Sequence, residues 1–353
     1  MKLCKKLLSF ALVLVFMLGI CVGFASADGA KELHMLCYNV AGLPSISGII
    51  GMQGVNVPDN QYVLGKQLNA LDYDVIAVQE DFGYHCLLSS GLTKYRYKTV
   101  HSGGIPGGDG MNIFSKYPVY NAKRTPWDMT YGVITDGADE LTPKGILYSV
   151  IDLGDGLCVD FYVIHADAYD GEGSRAARTD NFRQLAALIA SKGTSRPVIV
   201  TGDFNTTSHL DQGADFTRML ITEAGFKDAW TEIHNGGNYV DYSRHAASGL
   251  SYWGNWDSVE KVLYRDGGGY HVEATECEYK DFLNKGVSIS DHKAVSSLLR
   301  FTKIEEVTPS TEKLTITRPN LIGALVNKVT VTVRDLYKIS QHFDDVIALL
   351  KGA

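Results

Sequence analysis

The chain has 353 residues, 45% of them hydrophobic, with 33 Lys and Arg against 40 Asp and Glu, 36 Gly and 9 Pro. This composition excludes disorder, a collagen-like repeat and a simple coiled coil. The length suffices for one large domain with an appendage, or for two ordinary domains, and either can bury a full core without covalent staples.

Lys2, Lys5 and Lys6 precede an apolar run over residues 7–24, and Ala25-Ser26-Ala27 follows it. A basic start, an apolar middle and a small-residue cleavage box make residues 1–27 a secretory signal, with the mature chain beginning at Asp28 and exported from the cell. The run is also long enough for an uncleaved anchor, but Gly19 and Gly23 interrupt it and the cleavage box follows directly. Removing the three lysines with the leader takes the net charge from −7 to −10. Such a chain is not a general binder of polyanions, although a local cleft with a bound metal can still hold a phosphate. Four cysteines remain, Cys37, Cys86, Cys158 and Cys277; their spacing fits no metal motif, and no pairing is assigned.

In chain order, residues 33–40 form a strand-like run that leads into a Gly/Pro/Ser loop. Residues 61–71 have helical spacing, and 75–78 is a short apolar run typical of a buried strand. Residues 113–114, 146–152 and 157–164 continue the strand pattern. A helix is expected over 176–192, where Phe182, Leu185, Leu188 and Ile189 share a face. Further strands are expected over 198–201, 261–264 and 294–301, with a second helix over 215–224. Strands alternating with occasional helices predict an α/β layered sandwich, two β-sheets with helices on their outer faces. The domain is placed at 28–302, a polar linker at 303–315, and a tail at 316–353 with an amphipathic helix over 335–350. The tail's polar face carries Asp344 and Asp345, which favours docking on protein over a membrane surface.

Acidic, amide and imidazole residues recur at the ends of the apolar runs, where strand ends of a layered fold converge on one rim. Asp203 and Asn205 follow the run at 198–201 and are expected side by side on one face. Such a pair can orient a water and hold a phosphate oxygen or a cation; each residue alone is ordinary turn chemistry. Glu80 ends the run at 75–78 and suits a hard cation such as Mg²⁺. Asn39 closes the first strand. His165 ends one strand and His292 begins another beside Asp291, which supplies the parts of a general acid and a general base near neutral pH. No Ser nucleophile motif, phosphate-binding Gly loop or Cys/His zinc pattern competes with this set.

Taken in order, Asn39, Gln79-Glu80, Gly108-Asp109-Gly110 ahead of residues 113–118, His165, Gly202-Asp203-Phe204-Asn205 and Ser290-Asp291-His292 resemble the endonuclease/exonuclease/phosphatase superfamily, the deoxyribonuclease I-like fold. The resemblance runs from about residue 33 to residue 301. His165-Ala-Asp-Ala, with Arg175, Arg178 and Gln184 on the next helix, looks most like the sphingomyelinase-type branch. The resemblance implies a four-layer sandwich of two packed, mostly antiparallel sheets. It implies Glu80 as a Mg²⁺ ligand with Asn39 close by, Mn²⁺ or Ca²⁺ being substitutes, and Asp203 and Asn205 positioning water and phosphoryl oxygens and sharing in the metal. His292 oriented by Asp291 and His165 supported by Asp109 become the proton-transfer and phosphate groups. Asp291 also stands among the metal ligands. In the late strand the family usually carries Asp, whereas this chain has Glu260, with Asp257 as the rival three residues earlier.

The expectation is therefore a secreted Mg²⁺-dependent phosphodiesterase, monomeric, with a phospholipid headgroup as substrate, peripheral membrane contact and no integral membrane segment after signal cleavage. A secreted nuclease with the same residues, acting on DNA or RNA, is the first rival. A catalytically inactive binding module on the same fold is the second, and Glu260 is its main support.

Overall fold

The computed structural model describes residues 30–43, 57–105, 107–133, 139–140, 142–206, 216–239, 259–304, 313–316 and 329–332. The leader, Asp257 and the helix expected over 335–350 lie outside the described residues.

The strands are β1 (Lys31–Asn39), β2 (Val75–Gln79), β3 (Tyr97–Lys98), β4 (Asn112–Ser115), β5 (Val119–Pro126), β6 (Gly145–Asp152), β7 (Cys158–His165), β8 (Val198–Asp203), β9 (Lys227–Asp228), β10 (Glu260–Arg265), β11 (Tyr270–Lys280), β12 (Leu283–Asn284), β13 (Val287–Ser288), β14 (Ala294–Lys303), β15 (Lys313–Ile316) and β16 (Val329–Thr332). The helices are α1 (Val57–Leu71), α2 (His85–Gly91), α3 (Glu172–Lys192) and α4 (Ala229–Asn235). The helix expected over 215–224 is a widened, π-type segment, Thr217–Glu223, whose exit bonds run from Ala224 N–H to Met219 O and from Phe226 N–H to Leu220 O.

One six-stranded sheet has the order β11-β14-β1-β2-β4-β3 and the other β5-β6-β7-β8-β10-β9. Pairing is antiparallel except for β1 with β2 and β7 with β8. The central strands are buried on both faces, so they read as continuous apolar runs. Along β1, Leu33, Met35 and Cys37 enter the core between the sheets, while Leu36 and Tyr38 pack under α1 and α2. Along β7, Val159, Phe161 and Val163 face the first sheet, and Tyr162 and Ile164 face Phe182, Leu185 and Ile189 of α3. This period of two feeds three apolar layers and builds the four-layer sandwich. Among the described residues no helix is long and apolar enough to cross a membrane, and Cys37, Cys86, Cys158 and Cys277 are free thiols.

Residues 304–353 form a unit of their own, in which β15 and β16 pair antiparallel from Lys313 with Thr332 to Ile316 with Val329. The strand β15 begins inside the stretch read as linker.

Candidate active site

Strand register assembles the rim. In the second sheet His165 pairs with Asp203, and Asp203 pairs with Glu260, so three functional side chains stand in one row across β7, β8 and β10. In the first sheet Asn39 ends β1 opposite Gln79, and Glu80 follows. Gly202 lets β8 approach β7 at this level: its φ is +146°, and a Cβ there would fall 2.0 Å from Ile164 O.

Asn39 joins the two sheets. Its Nδ2 donates to Glu80 Oε1 at 3.0 Å and to Asp203 Oδ2 at 3.1 Å. Its Oδ1 accepts from Ala41 N–H at 3.1 Å, and its carbonyl accepts from Ser290 Oγ at 2.8 Å. Ser290 Oγ in turn accepts from His292 N–H at 3.1 Å, which ties the histidine's loop to β1. His292 Nδ1 bonds Glu260 Oε1 and lies 3.8 Å from Asp203 Oδ2. Its Nε2 is 3.4 Å from Asn39 Nδ2, whose two hydrogens already serve Glu80 and Asp203, so Nε2 is left to face the rim. His165 is buried, with Nε2 3.5 Å from Asp203 Oδ2. Its Nδ1 has no partner among the described residues.

The charge states follow from burial and neighbours. Burial lifts the Glu80 carboxyl above its ordinary value against the Asn39 bond and the charges of Lys144 and His292. Asp203 goes the other way. Burial alone would raise it, but His292 and the Asn205 N–H outweigh burial and hold the carboxylate ionised. Burial and the Lys144 charge push His165 well below 6.5, so it is neutral. Burial also opposes the imidazolium at His292, yet Glu260 and Asp203 lift it to about 10.

Asn39, Glu80, Asp203, Glu260, His165 and His292 come together as the sequence implies, with three corrections. Asp291 does not orient His292 and is not part of the carboxylate cluster; the chain bends at residues 289–292 ahead of β14 and leaves Asp291 exposed, and Glu260 takes the Nδ1 position. Asp109 does not support His165; its carboxylate is spent on Arg124 Nη1, Ser102 Oγ and Met111 N–H. Asn205 lies beside Asp203 because of a turn, not a strand period: β8 stops at Asp203, Asn205 has φ +48°, and its N–H donates to Asp203 Oδ1 at 2.9 Å. Its Nδ2 donates to Ala166 O at 2.9 Å.

Sequence reasoning missed Lys144, which is buried, paired with buried Asp139, and close enough to bias both Glu80 and His165. A lysine in Thr-Pro-Lys-Gly, directly ahead of an apolar strand, was the available signal. Arg178 and Gln184 act as braces: Arg178 Nη1 donates to Asp167 O and Tyr169 O, and Gln184 bonds Asp128 N–H and Pro126 O.

The donor set fits a hard divalent cation. Glu80 and Asp203 converge on one amide nitrogen, and the burial that raises Glu80 would be offset by a cation on it. Asp203, Glu260 and His292 each present a ligand-type atom within 4.8 Å of the others.

Several known proteins are similar. The sphingomyelinase of Mycobacterium tuberculosis (strain ATCC 25618 / H37Rv) is 32% identical over 273 residues, covering 74% of this chain and 51% of that protein. The chain thus spans about half the length of the curated relatives it matches. The beta toxin of Staphylococcus aureus, in a mutant solved with bound magnesium ions, superposes with a TM-score of 0.53 at 17% identity, covering 76% of this chain and 99% of that one. TDP2 of D. rerio, solved with a single strand DNA product, gives 0.56 at 16%, with 76% and 99% covered. At these identities the structural likenesses establish the fold alone. Residues 37–292, from the strand that ends in Asn39 to the imidazole on Glu260, match the Endonuclease/Exonuclease/phosphatase family, and to that family the chain belongs.

Proposed function

We propose that this protein hydrolyses a phosphodiester with the help of a divalent cation at the Asn39–Glu80–Asp203 rim. The observation that carries this reading is the single amide of Asn39 holding the carboxylates of both sheets, with the His292–Glu260 pair beside them. Glu80, with Asn39 and Asp203, would hold Mg²⁺, for which Mn²⁺ or Ca²⁺ can substitute. Such an ion neutralises charge on non-bridging phosphate oxygens.

The chain's own residues account for the remaining chemistry. Asp203, ionised and braced by the Asn205 N–H, accepts a hydrogen bond from the attacking water and aims it at phosphorus. The water oxygen forms a new bond to phosphorus, the bond to the leaving oxygen breaks, and a proton passes from the water side to the leaving side. His292 moves a proton at Nε2 while Glu260 fixes Nδ1, the orientation used by other carboxylate–histidine pairs. Neutral His165, 3.5 Å from Asp203, contacts the phosphoryl group.

For substrate we favour a phospholipid of the sphingomyelin type over a nucleic acid. The 32% identity to a sphingomyelinase supports it, and so does the net charge of −7, which gives a polyanion no general attraction. We also read residues 1–27 as a cleaved leader, which makes the enzyme extracellular; N-terminal sequencing of exported protein should begin at Asp28.

The test is hydrolysis of sphingomyelin vesicles, DNA, RNA and bis-p-nitrophenyl phosphate by the purified protein, with Mg²⁺ and with EDTA, beside His292→Ala. Activity on sphingomyelin that requires both Mg²⁺ and His292 is the expected result. Activity on DNA or RNA alone would make it a nuclease. Silence on all four substrates would move the reading to a binding module.

A further inference from the structure

Glu80 adopts φ +56°, a left-handed conformation that is unfavourable for any residue with a Cβ. Such strain persists only where the surroundings over-determine it. Here the carbonyl of Glu80 accepts from Gly42 N–H at 3.1 Å and from Phe82 N–H at 3.0 Å. The tighter grip is on the next residue.

Asp81 is buried and held at its N–H, its carbonyl and one carboxylate oxygen. Its N–H donates to Gly110 O at 2.9 Å. Its carbonyl accepts from His101 Nε2 at 2.9 Å. Its Oδ2 accepts from His85 Nδ1 at 2.6 Å and from Asn112 Nδ2 at 2.9 Å. The rings of His85 and His101 stack at 4.2 Å, and His101 Nδ1 accepts from Gly103 N–H at 3.3 Å, which fixes the tautomer that donates to Asp81. Gly110 closes the turn from above: its φ is +68°, and a Cβ there would come within 3.0 Å of Glu80 Cα. These partners come from the first turn of α2, the first residue of β4 and the loop between β3 and β4.

Asp81, His85 and His101 offer ligand-type atoms within 4.8 Å of one another, but the cluster is not arranged for an ion of its own. An imidazole lone pair lies in its ring plane, so two rings only 16° from parallel do not converge on one ion, and both His101 nitrogens serve backbone groups. What the cluster does is lock the residue after Glu80, so that the strained turn aims the Glu80 carboxylate at Asn39 and Asp203 rather than away from the rim.

We propose that Asp81, clamped by His85, His101 and Asn112, is the positioning residue for Glu80 and sets the affinity of the rim for its divalent cation. This rests on the reading of Glu80 as a cation ligand. Residues that orient a metal ligand from behind typically change metal affinity 10–100-fold when removed.

The test is calorimetric titration of MgCl₂ into the full chain, without substrate, for wild type, Asp81→Ala, Asp81→Asn and His101→Ala. Asp81→Ala should weaken Mg²⁺ binding about 10–100-fold, and Asp81→Asn, which keeps an oxygen to accept both side-chain bonds, should recover most of it. His101→Ala removes only the bond to the Asp81 carbonyl and should weaken binding at least about threefold, a fraction of the full effect. In hydrolysis of bis-p-nitrophenyl phosphate, these losses should appear as a higher half-saturating Mg²⁺ concentration, with kcat at saturating Mg²⁺ within about twofold of wild type. Unchanged Mg²⁺ affinity alongside a lower unfolding midpoint would reduce Asp81 to a fold residue and overturn the proposal. If Asp81→Ala does not fold, His101→Ala decides by the same criterion. A wild-type chain that binds no Mg²⁺ overturns the cation reading first, and this inference with it.

Discussion

Glu260 stands directly across the β8–β10 pair from Asp203, and its carboxylate takes the Nδ1 position of His292. The longer side chain therefore does not displace the carboxylate from the rim; it reaches the imidazole. Glu260→Gln removes a charge that lifts His292, so the limb of the pH–rate profile governed by His292 should move to lower pH, and kcat should fall about 10²–10⁴-fold. Glu260→Asp, which restores the family's usual residue, should cost about 10²-fold by drawing the carboxylate back roughly 1 Å. Neither substitution should add much to the loss in His292→Ala, since the two residues act as a unit. Steady-state rates across pH on bis-p-nitrophenyl phosphate check all three.

The same pair predicts a pH dependence of stability in cation-free protein. Against the cost of burial, Glu260 and Asp203 lift His292 to about 10, above its ordinary 6.5. The folded protein therefore binds this proton more tightly than the unfolded chain. The resulting stability is complete below pH 6.5 and is lost as pH rises through 10. Urea unfolding in EDTA at pH 6 and at pH 10 should show wild type losing at least about 1 kcal/mol more than His292→Ala over that interval. An equal loss in both would mean that the pair does not carry the effect.

The central strands and the rim were legible in the sequence for one physical reason. A strand buried on both faces is a continuous apolar run, and the polar residue that ends it must lie where the sheet meets solvent or a site. Asn39, Glu80, His165 and Asp203 each announce themselves this way. Edge strands do not: β5, with Asn121-Ala-Lys-Arg124 largely open to solvent, and β11, bulged between Ala274 and Glu276, lack the run and were not anticipated. Contacts between chain neighbours also mislead. Asp291 is adjacent to His292 in sequence but exposed, whereas Glu260, 32 positions earlier, is adjacent in space. Register across strands decides this, and no local pattern encodes it.

Lys144 carries a prediction because its partner is buried. Lys144→Met leaves the Asp139 carboxylate without its cation in a site closed to water, which should cost about 3–5 kcal/mol. Asp139→Asn in the same chain should return most of that loss, since no lone charge then remains. The Lys144 charge also opposes the rise at Glu80. The double variant should regain stability. Thermal unfolding of the single and double variants checks both outcomes.

Asp167 gives a prediction of opposite sign, a gain. It is buried beside Asp139; burial first and the Asp139 charge second lift its carboxyl to about 7, despite the Tyr131 N–H and the charges of Lys144 and Arg178. Oδ2 accepts from Tyr131 N–H at 2.7 Å, and Oδ1 has no hydrogen-bond partner among the described residues. Because the folded value lies above the ordinary 3.8, ionisation works against the fold. Stability is highest below 3.8, falls as pH rises, and has lost the full amount above 7. Asp167→Asn keeps the acceptor for Tyr131 and removes the charge. Its advantage over wild type should be small near pH 4 and grow to about 1–3 kcal/mol at pH 8, read from urea midpoints at the two pH values. An advantage that does not grow with pH would mean that Asp167 is already ionised at no cost in the folded protein, with a cation beyond Lys144 and Arg178 compensating it.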